Sequence, residues 1–128
     1  MVWEDWQPWQ QWLKTDEAQT YEYAYDIELP VKSAPTDVRD PAMVRSYERS
    51  NARRIDAVGR RGDVYTIFEA RRFTGWSAIA QLQAYQQLWP LFFHEIATPD
   101  LVLVTERIAD DIRVSAARAR VRVWVVGE

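Results

Sequence analysis

Asp56, Glu69 and Arg71 are the residues of this chain whose types and spacing could do chemistry. Asp56 lies in Arg53-Arg54-Ile55-Asp56-Ala57-Val58-Gly59, which reads as a strand, and Glu69 and Arg71 close the strand-like run from Val64 to Arg71 that follows a tight turn. With the turn centred on Arg61 and Gly62, or on a slightly longer loop, Ile67 falls opposite Asp56 and Arg54 opposite Glu69. Residues that face each other across a hairpin share a side of the sheet, as do residues two apart on one strand. Asp56, Glu69 and Arg71 then project from one side, with Glu69 diagonal to Asp56, while Ile55, Ala57, Phe68 and Ala70 project from the other side and join the core. A one-residue bulge would undo this parity. Oxygens from Asp56 and Glu69, with the backbone carbonyl of Ala70 and several waters, suit Mg²⁺, which prefers octahedral oxygen ligands. Such an ion polarises a phosphodiester and lowers the pKa of an attacking water. The same residues also allow a plain cross-strand ion pair between Arg54 and Glu69, with Asp56 at a strand end.

The elements that must hold this hairpin follow from periodicity. Trp3, Trp6, Trp9 and Trp12 recur every third residue. On a helix they sweep about half the circumference, too wide for one core-facing stripe. A Trp-rich N-terminal helix over 1–17, ending near Thr15 to Glu17, would lay several rings on a sheet and leave others as an interface, where Trp is enriched. Tyr21 to Leu29 alternates aromatic or aliphatic residues with acidic or small ones, the pattern of a strand with one buried face, ended by Pro30. Residues 30–52 read as a loop and a short helix, with Asp40 as its cap and Pro41 at its first position, running to about Asn51. The hairpin spans 53–71. An amphipathic helix over 77–89 is closed by Pro90, and it places Gln81 and Tyr85 at i and i+4 on one face. Leu101 to Thr105 is a continuous apolar run typical of a buried strand. A helical piece from Ala109 to Ala119 leads to a last strand from Val121 to Val126. Alternation of this kind predicts an α/β fold with a central mixed sheet flanked by helices.

Composition narrows the class. At 128 residues the chain suits one domain, 1–128. There is no cysteine, which excludes disulfides and thiolate metal sites, and the lone His94 excludes a multi-histidine site. The N-terminus lacks the basic lead and apolar run of a signal peptide, and no apolar run approaches the roughly 20 residues that span a bilayer. The expectation is a soluble, intracellular protein. A net charge of -3 argues against coating nucleic acid by bulk electrostatics. Charge is nevertheless uneven. Glu4, Asp5, Asp16, Glu17, Glu22, Asp26 and Glu28 face only Lys14 within residues 1–30, whereas Arg45, Arg49, Arg53, Arg54, Arg60, Arg61, Arg71 and Arg72 crowd the centre. Copies of the chain could attract each other through these halves, or the arginines could meet phosphates.

Taken together, the Arg-Ile-Asp strand, the Glu69-Ala70-Arg71 strand and the helix reading Ala78-x-x-Gln81-x-x-x-Tyr85 resemble the PD-(D/E)xK nuclease superfamily, in the branch with a Gln-x-x-x-Tyr helix. The chain is most similar to short single-domain members encoded by tailed bacteriophages. The motifs cover residues 53–105, and the order of elements covers the whole chain. The resemblance implies an αβββαβ core with an added helix and strand. It implies metal ligation by Asp56 and Glu69, puts Arg71 at the catalytic lysine position, and assigns Gln81 and Tyr85 to arranging the site and the substrate strand. An acidic residue of the first helix often completes such sites, for which Glu4, Asp5, Asp16 and Glu17 are candidates.

One residue departs from that pattern. Lysine can shed its proton beside a metal, whereas arginine, with a pKa above about 12, cannot. The only lysines, Lys14 and Lys32, lie elsewhere. The expectation is therefore a catalytically impaired nuclease-like protein that serves as a structural or assembly component of a phage virion, such as the head-to-tail neck. It would bind other copies of itself or phage structural proteins, in the virion or the host cytoplasm and not in a membrane. The alternatives are a working DNA nuclease dependent on Mg²⁺ or Mn²⁺, in which Arg71 orients a water or steadies the phosphate, and a non-cleaving module that contacts DNA through the central arginines.

Overall fold

A computed structural model of the chain describes residues 1–29, 39–43, 45, 53–94 and 97–128. In chain order the elements are α1 (Trp3–Leu13), a 3-10 turn (Ala18–Thr20), β1 (Glu22–Leu29), β2 (Arg53–Arg61), β3 (Val64–Thr74), α2 (Trp76–Phe92), β4 (Asp100–Ile108), α3 (Asp110–Arg118) and β5 (Val121–Val125). The five strands lie in the sheet in that same order. β1, β2 and β3 form an antiparallel meander. β4 and β5 then add in parallel, each reached through a helix, as parallel neighbours require. The fold is α/β, a mixed sheet with helices on both faces.

Each face of the sheet has its own core. Trp9 and Trp12 of α1 pack with Ala57, Phe68, Ala70, Val102 and Val104 on one face. On the other, Ile79, Leu82, Tyr85 and Trp89 of α2 and Ile112 and Ala116 of α3 pack with Ile55, Ile67, Leu101 and Leu103. Leu101 to Val104 thus feed both faces by alternation, which is why β4 is apolar without interruption. The wide tryptophan sweep resolves into two rings fully buried, Trp6 half-buried, and Trp3 exposed at 75%. The two buried indoles keep their donors satisfied through β1. Trp9 Nε1 donates to Tyr25 Oη at 3.3 Å and Trp12 Nε1 to Tyr23 Oη at 3.2 Å, and Tyr23 Oη donates on to Ala18 O at 2.7 Å. A buried Tyr or Trp needs such partners.

The hairpin register differs from the sequence expectation by two residues. Arg61 pairs with Val64, so the tip is Gly62-Asp63, with Gly62 at φ +62°. Gly at the first position of a two-residue loop supplies the left-handed backbone that closes it. Ala57 pairs with Phe68, and there the ladder between β2 and β3 ends, so Asp56 and Glu69 are the first residues beyond the last pair rather than the diagonal neighbours expected. An even shift leaves the faces of a strand unchanged. The faces do change at Asp56, for another reason. β1 pairs with β2 at Tyr25↔Ala57 and again at Ile27↔Ile55, skipping Asp26 and Asp56, and Asp26 has φ +53°. Beyond this kink Ile55 joins the α2 side, not the side of Ala57, Phe68 and Ala70.

Two further expectations are amended. α2 runs through Pro90 to Phe92, because a proline in the last turn forfeits only one helical bond. α1 stops at Leu13, and the 3-10 turn takes up the following residues. Asp40 caps as expected, its carboxylate accepting from the Ala42 N–H at 2.9 Å. The loop expected after Pro30 and most of the short helix expected to reach Asn51 lie outside the described residues. Among the described residues no helix is long and apolar enough to cross a membrane.

Gly59 is a point of close packing on the α1 face. A Cβ there would lie 2.7 Å from Phe68 Cε2 and 2.9 Å from Tyr21 Cδ1. Gly59→Ala should lose about 1–3 kcal/mol in urea unfolding, since both rings are hemmed in by Tyr23 and Trp9. Burial pushes the Tyr23 hydroxyl up to about 12. A phenol held neutral in the fold contributes stability that is complete below its unfolded pKa of about 10 and is lost as pH rises from there through about 12. The stability gap between wild type and Tyr23→Phe should therefore shrink across that interval; a gap that stays constant would contradict the buried, neutral hydroxyl.

Candidate functional site

Beyond the Ala57↔Phe68 pair β2 turns away from β3, and the amide of Ala70 needs another acceptor. Asp56 Oδ2 supplies it at 3.2 Å. That carboxylate is thereby held at the mouth of the gap between the strands, 13% exposed. Glu69 belongs to the row of β3 that faces α2, between the core residue Ile67 and Arg71, and its neighbour on β4 is Leu103. Apolar surroundings leave its side chain only 2% exposed.

Arg71 closes the cluster. Its Nη1 lies 2.5 Å from Glu69 Oε1, 3.0 Å from Ala70 O, 3.5 Å from Asp56 Oδ2 and 3.8 Å from Asp5 Oδ2. Its Nη2 donates to Gln81 Oε1 at 2.7 Å. Asp5 reaches the cluster from the first turn of α1, where its other oxygen accepts from the Arg72 N–H at 2.9 Å. Of the four acidic residues considered from the N-terminal region, Asp5 alone arrives. Glu17 pairs with Arg122 of β5, and Glu4 and Asp16 are exposed. The hairpin and α2 thus bring Asp56, Glu69, Arg71 and Gln81 together. Tyr85 takes a supporting position, its hydroxyl donating to Arg54 O at 2.9 Å and so tying β2 to α2 just before the kink. A groove of about 350 Å³ lined by Ser77, Ala80, Gln81, Ala84 and Tyr85 runs along α2.

Asp26 was not foreseen as part of this region. It lies across the skipped ladder position from Asp56, and the α-ammonium of Met1 is 3.2 Å from Asp26 Oδ1 and 3.9 Å from Asp56 Oδ1. Perfect alternation from Tyr21 to Leu29 concealed it, because a kink common to two strands leaves no mark in either pattern. The cross-strand pair between Arg54 and Glu69 does not form. Arg54 pairs with Glu28, its ladder partner, at 3.0 Å. Other central arginines are also engaged within the chain. Arg61 covers the Tyr21 ring at 4.6 Å and Arg72 pairs with Glu106 at 3.5 Å.

Burial pushes the Glu69 carboxyl up to about 8, the Asp56 carboxylate acts in the same direction, and the Arg71 guanidinium opposes both. Burial and Asp56 outweigh the guanidinium, so the Glu69 carboxyl holds its proton up to about that pH. Glu69 Oε2 is buried with no hydrogen-bond partner among the described residues. In kind, the oxygens of Asp5, Asp56, Glu69 and Ala70 suit a hard divalent cation. In space, Nη1 of Arg71 stands among them, and no group of three or more His, Cys, Asp or Glu is arranged to hold a metal ion among the described residues.

No protein-family model matches the sequence, and no curated protein matches it. Among solved structures, the chain is similar to the crystal structure of a protein of unknown function, AF1548, with a TM-score of 0.52 and 12% identity. The similarity covers 94% of this chain and 56% of that one, so this chain spans little more than half of its length. At that identity the likeness concerns the fold alone.

Arg71→Met should cost about 1–3 kcal/mol, because it removes the donor shared by Glu69 Oε1, the Ala70 carbonyl and Gln81 Oε1. Adding Glu69→Gln should recover part of that loss. Equal stabilities of the single and double variants, measured by urea unfolding, would show that the Glu69–Arg71 contact does not carry the effect.

Proposed function

We propose that the chain is a PD-(D/E)xK nuclease-like scaffold that does not cleave DNA and serves as a structural or assembly component of a phage particle, as at the head-to-tail neck, in contact with further copies of itself or with neighbouring virion proteins. The observation that carries the first half is the Arg71 guanidinium among Asp5, Asp56 and Glu69. The cation of the cluster is one that cannot release a proton to make hydroxide. The assembly role is supported by large apolar side chains left exposed beside the cluster in sequence. Val2 and Trp3 precede Asp5, and Phe73 and Trp76 follow Arg72. Exposed aromatic residues are the usual anchors of protein interfaces.

An active metal-dependent nuclease is the second reading. It is favoured by the buried Glu69 Oε2 with no partner among the described residues and by the arrival of a third carboxylate, Asp5.

One assay separates the two. Linear, circular and single-stranded DNA incubated with the protein and Mn²⁺ or Mg²⁺ should remain intact, as with the Asp56→Ala, Glu69→Ala double variant. Cleavage that disappears in the double variant would establish the nuclease instead. The assembly role predicts self-association, or binding to portal or neck proteins, in sedimentation velocity. A chain that stays monomeric with and without those proteins would remove it.

A further inference from the structure

We infer that Arg71 is the resident cation of a site whose remaining donors suit a hard divalent ion, and that its guanidinium keeps such an ion out of the folded chain. This rests on the nuclease-like reading for the identity of the site, though not on whether DNA is cut. The oxygens around Nη1 come from three carboxylates and one backbone carbonyl. Hard divalent ions take this set, at about 2.0–2.6 Å and with waters completing the shell. Asp56 and Asp5, at 3.5 and 3.8 Å from Nη1, stand back from the guanidinium. The tight contact is to Glu69 Oε1 alone, while Glu69 Oε2, buried and without a partner among the described residues, is an acceptor whose demand the guanidinium does not meet.

The Met1 α-ammonium, 3.9 Å from Asp56 Oδ1, is a second cation at the edge of the cluster, so a divalent ion would take the place of the guanidinium rather than add to it. Gln81 explains why the exchange does not happen unaided. Its Oε1 holds Nη2 at 2.7 Å and so fixes the guanidinium from the α2 side while Nη1 faces the carboxylates. Arginine cannot leave by losing its proton, as a lysine in the same place could. An entering ion would have to swing out a fixed charge held at both ends of its fork.

The test titrates Mn²⁺ into the wild-type chain and the Arg71→Ala variant, reading bound metal by electron paramagnetic resonance and the melting midpoint by circular dichroism. Wild type should bind no Mn²⁺ and keep its midpoint up to about 1 mM. Arg71→Ala should bind one Mn²⁺ per chain, with a midpoint that rises as metal is added. Adding Glu69→Gln to Arg71→Ala should weaken that binding by at least about tenfold. Should Arg71→Ala not fold even with Mn²⁺, Arg71→Gln, which retains an amide able to meet Ala70 O, carries the same expectations. Failure of both variants to bind metal overturns the inference and leaves the non-cleaving scaffold standing. Binding of Mn²⁺ by wild type that is lost in Glu69→Gln overturns the exclusion. DNA cleavage by wild type removes the scaffold reading whatever the variants bind.

Discussion

The amide of Ala70 meets a side chain where a strand would normally be, and much of the site depends on that exchange. β2 and β3 are regularly paired up to Ala57 and Phe68, and then β2 leaves. An unpaired amide inside a sheet costs as much as a lost hydrogen bond, so the gap persists only because Asp56 Oδ2 fills the acceptor position. The carboxylate is thus part of the sheet's own hydrogen bonding. Its counterpart is the kink in β1 at Asp26, where a non-glycine residue is held at positive φ. Such a conformation costs of order 1 kcal/mol and persists where surrounding structure enforces it. Here the enforcing structure is the change of face, which sends Tyr25 to the tryptophans of α1 and Ile27 to the core under α2.

Everything that converges on the gap is delivered by one of the two cores. α1 is anchored by Trp9 and Trp12 against Phe68, and that anchorage carries Asp5 to the Arg72 amide. α2 is anchored by Ile79, Leu82 and Trp89, which leaves Gln81 free to turn toward Arg71 while Tyr85 holds the Arg54 carbonyl. Glu69 is buried because it lies in the middle of a central strand, beside Leu103 of β4, whereas Arg71 and Phe73 further along the same row reach water. The electrostatics follow from the packing. The Glu69 carboxyl is pushed up by burial and by Asp56, and the cation beside it offsets them only in part.

That cation is a guanidinium, and its planar fork explains the geometry better than a point charge would. One nitrogen faces carboxylates and the Ala70 carbonyl while the other faces Gln81, a division that an ammonium on a single stem could not make. The guanidinium ties Glu69, the Ala70 carbonyl and Gln81 together while Glu69 Oε2 stays without a partner among the described residues, and large exposed aromatics stand next to the cluster in sequence.

Much of this architecture was legible in the residues alone. Apolar alternation marked β1, an uninterrupted apolar run marked β4, and helical spacing put Gln81 and Tyr85 on one face, because periodicity reflects burial directly. The convergence of Asp56, Glu69 and Arg71 was also legible, although the turn was misjudged by two residues and Glu69 is not diagonal to Asp56 on a continuous ladder. What the chain could not disclose was the kink at Asp26 and Asp56, the choice of Asp5 among four acids, and the partner of each arginine. These depend on where a helix lands and where a strand departs, which are properties of distant segments in contact. The types of the residues determined what chemistry was possible; the tertiary structure decided that the Arg71 guanidinium stands at the centre of the carboxylates, because only the fold sets the distances over which charges act.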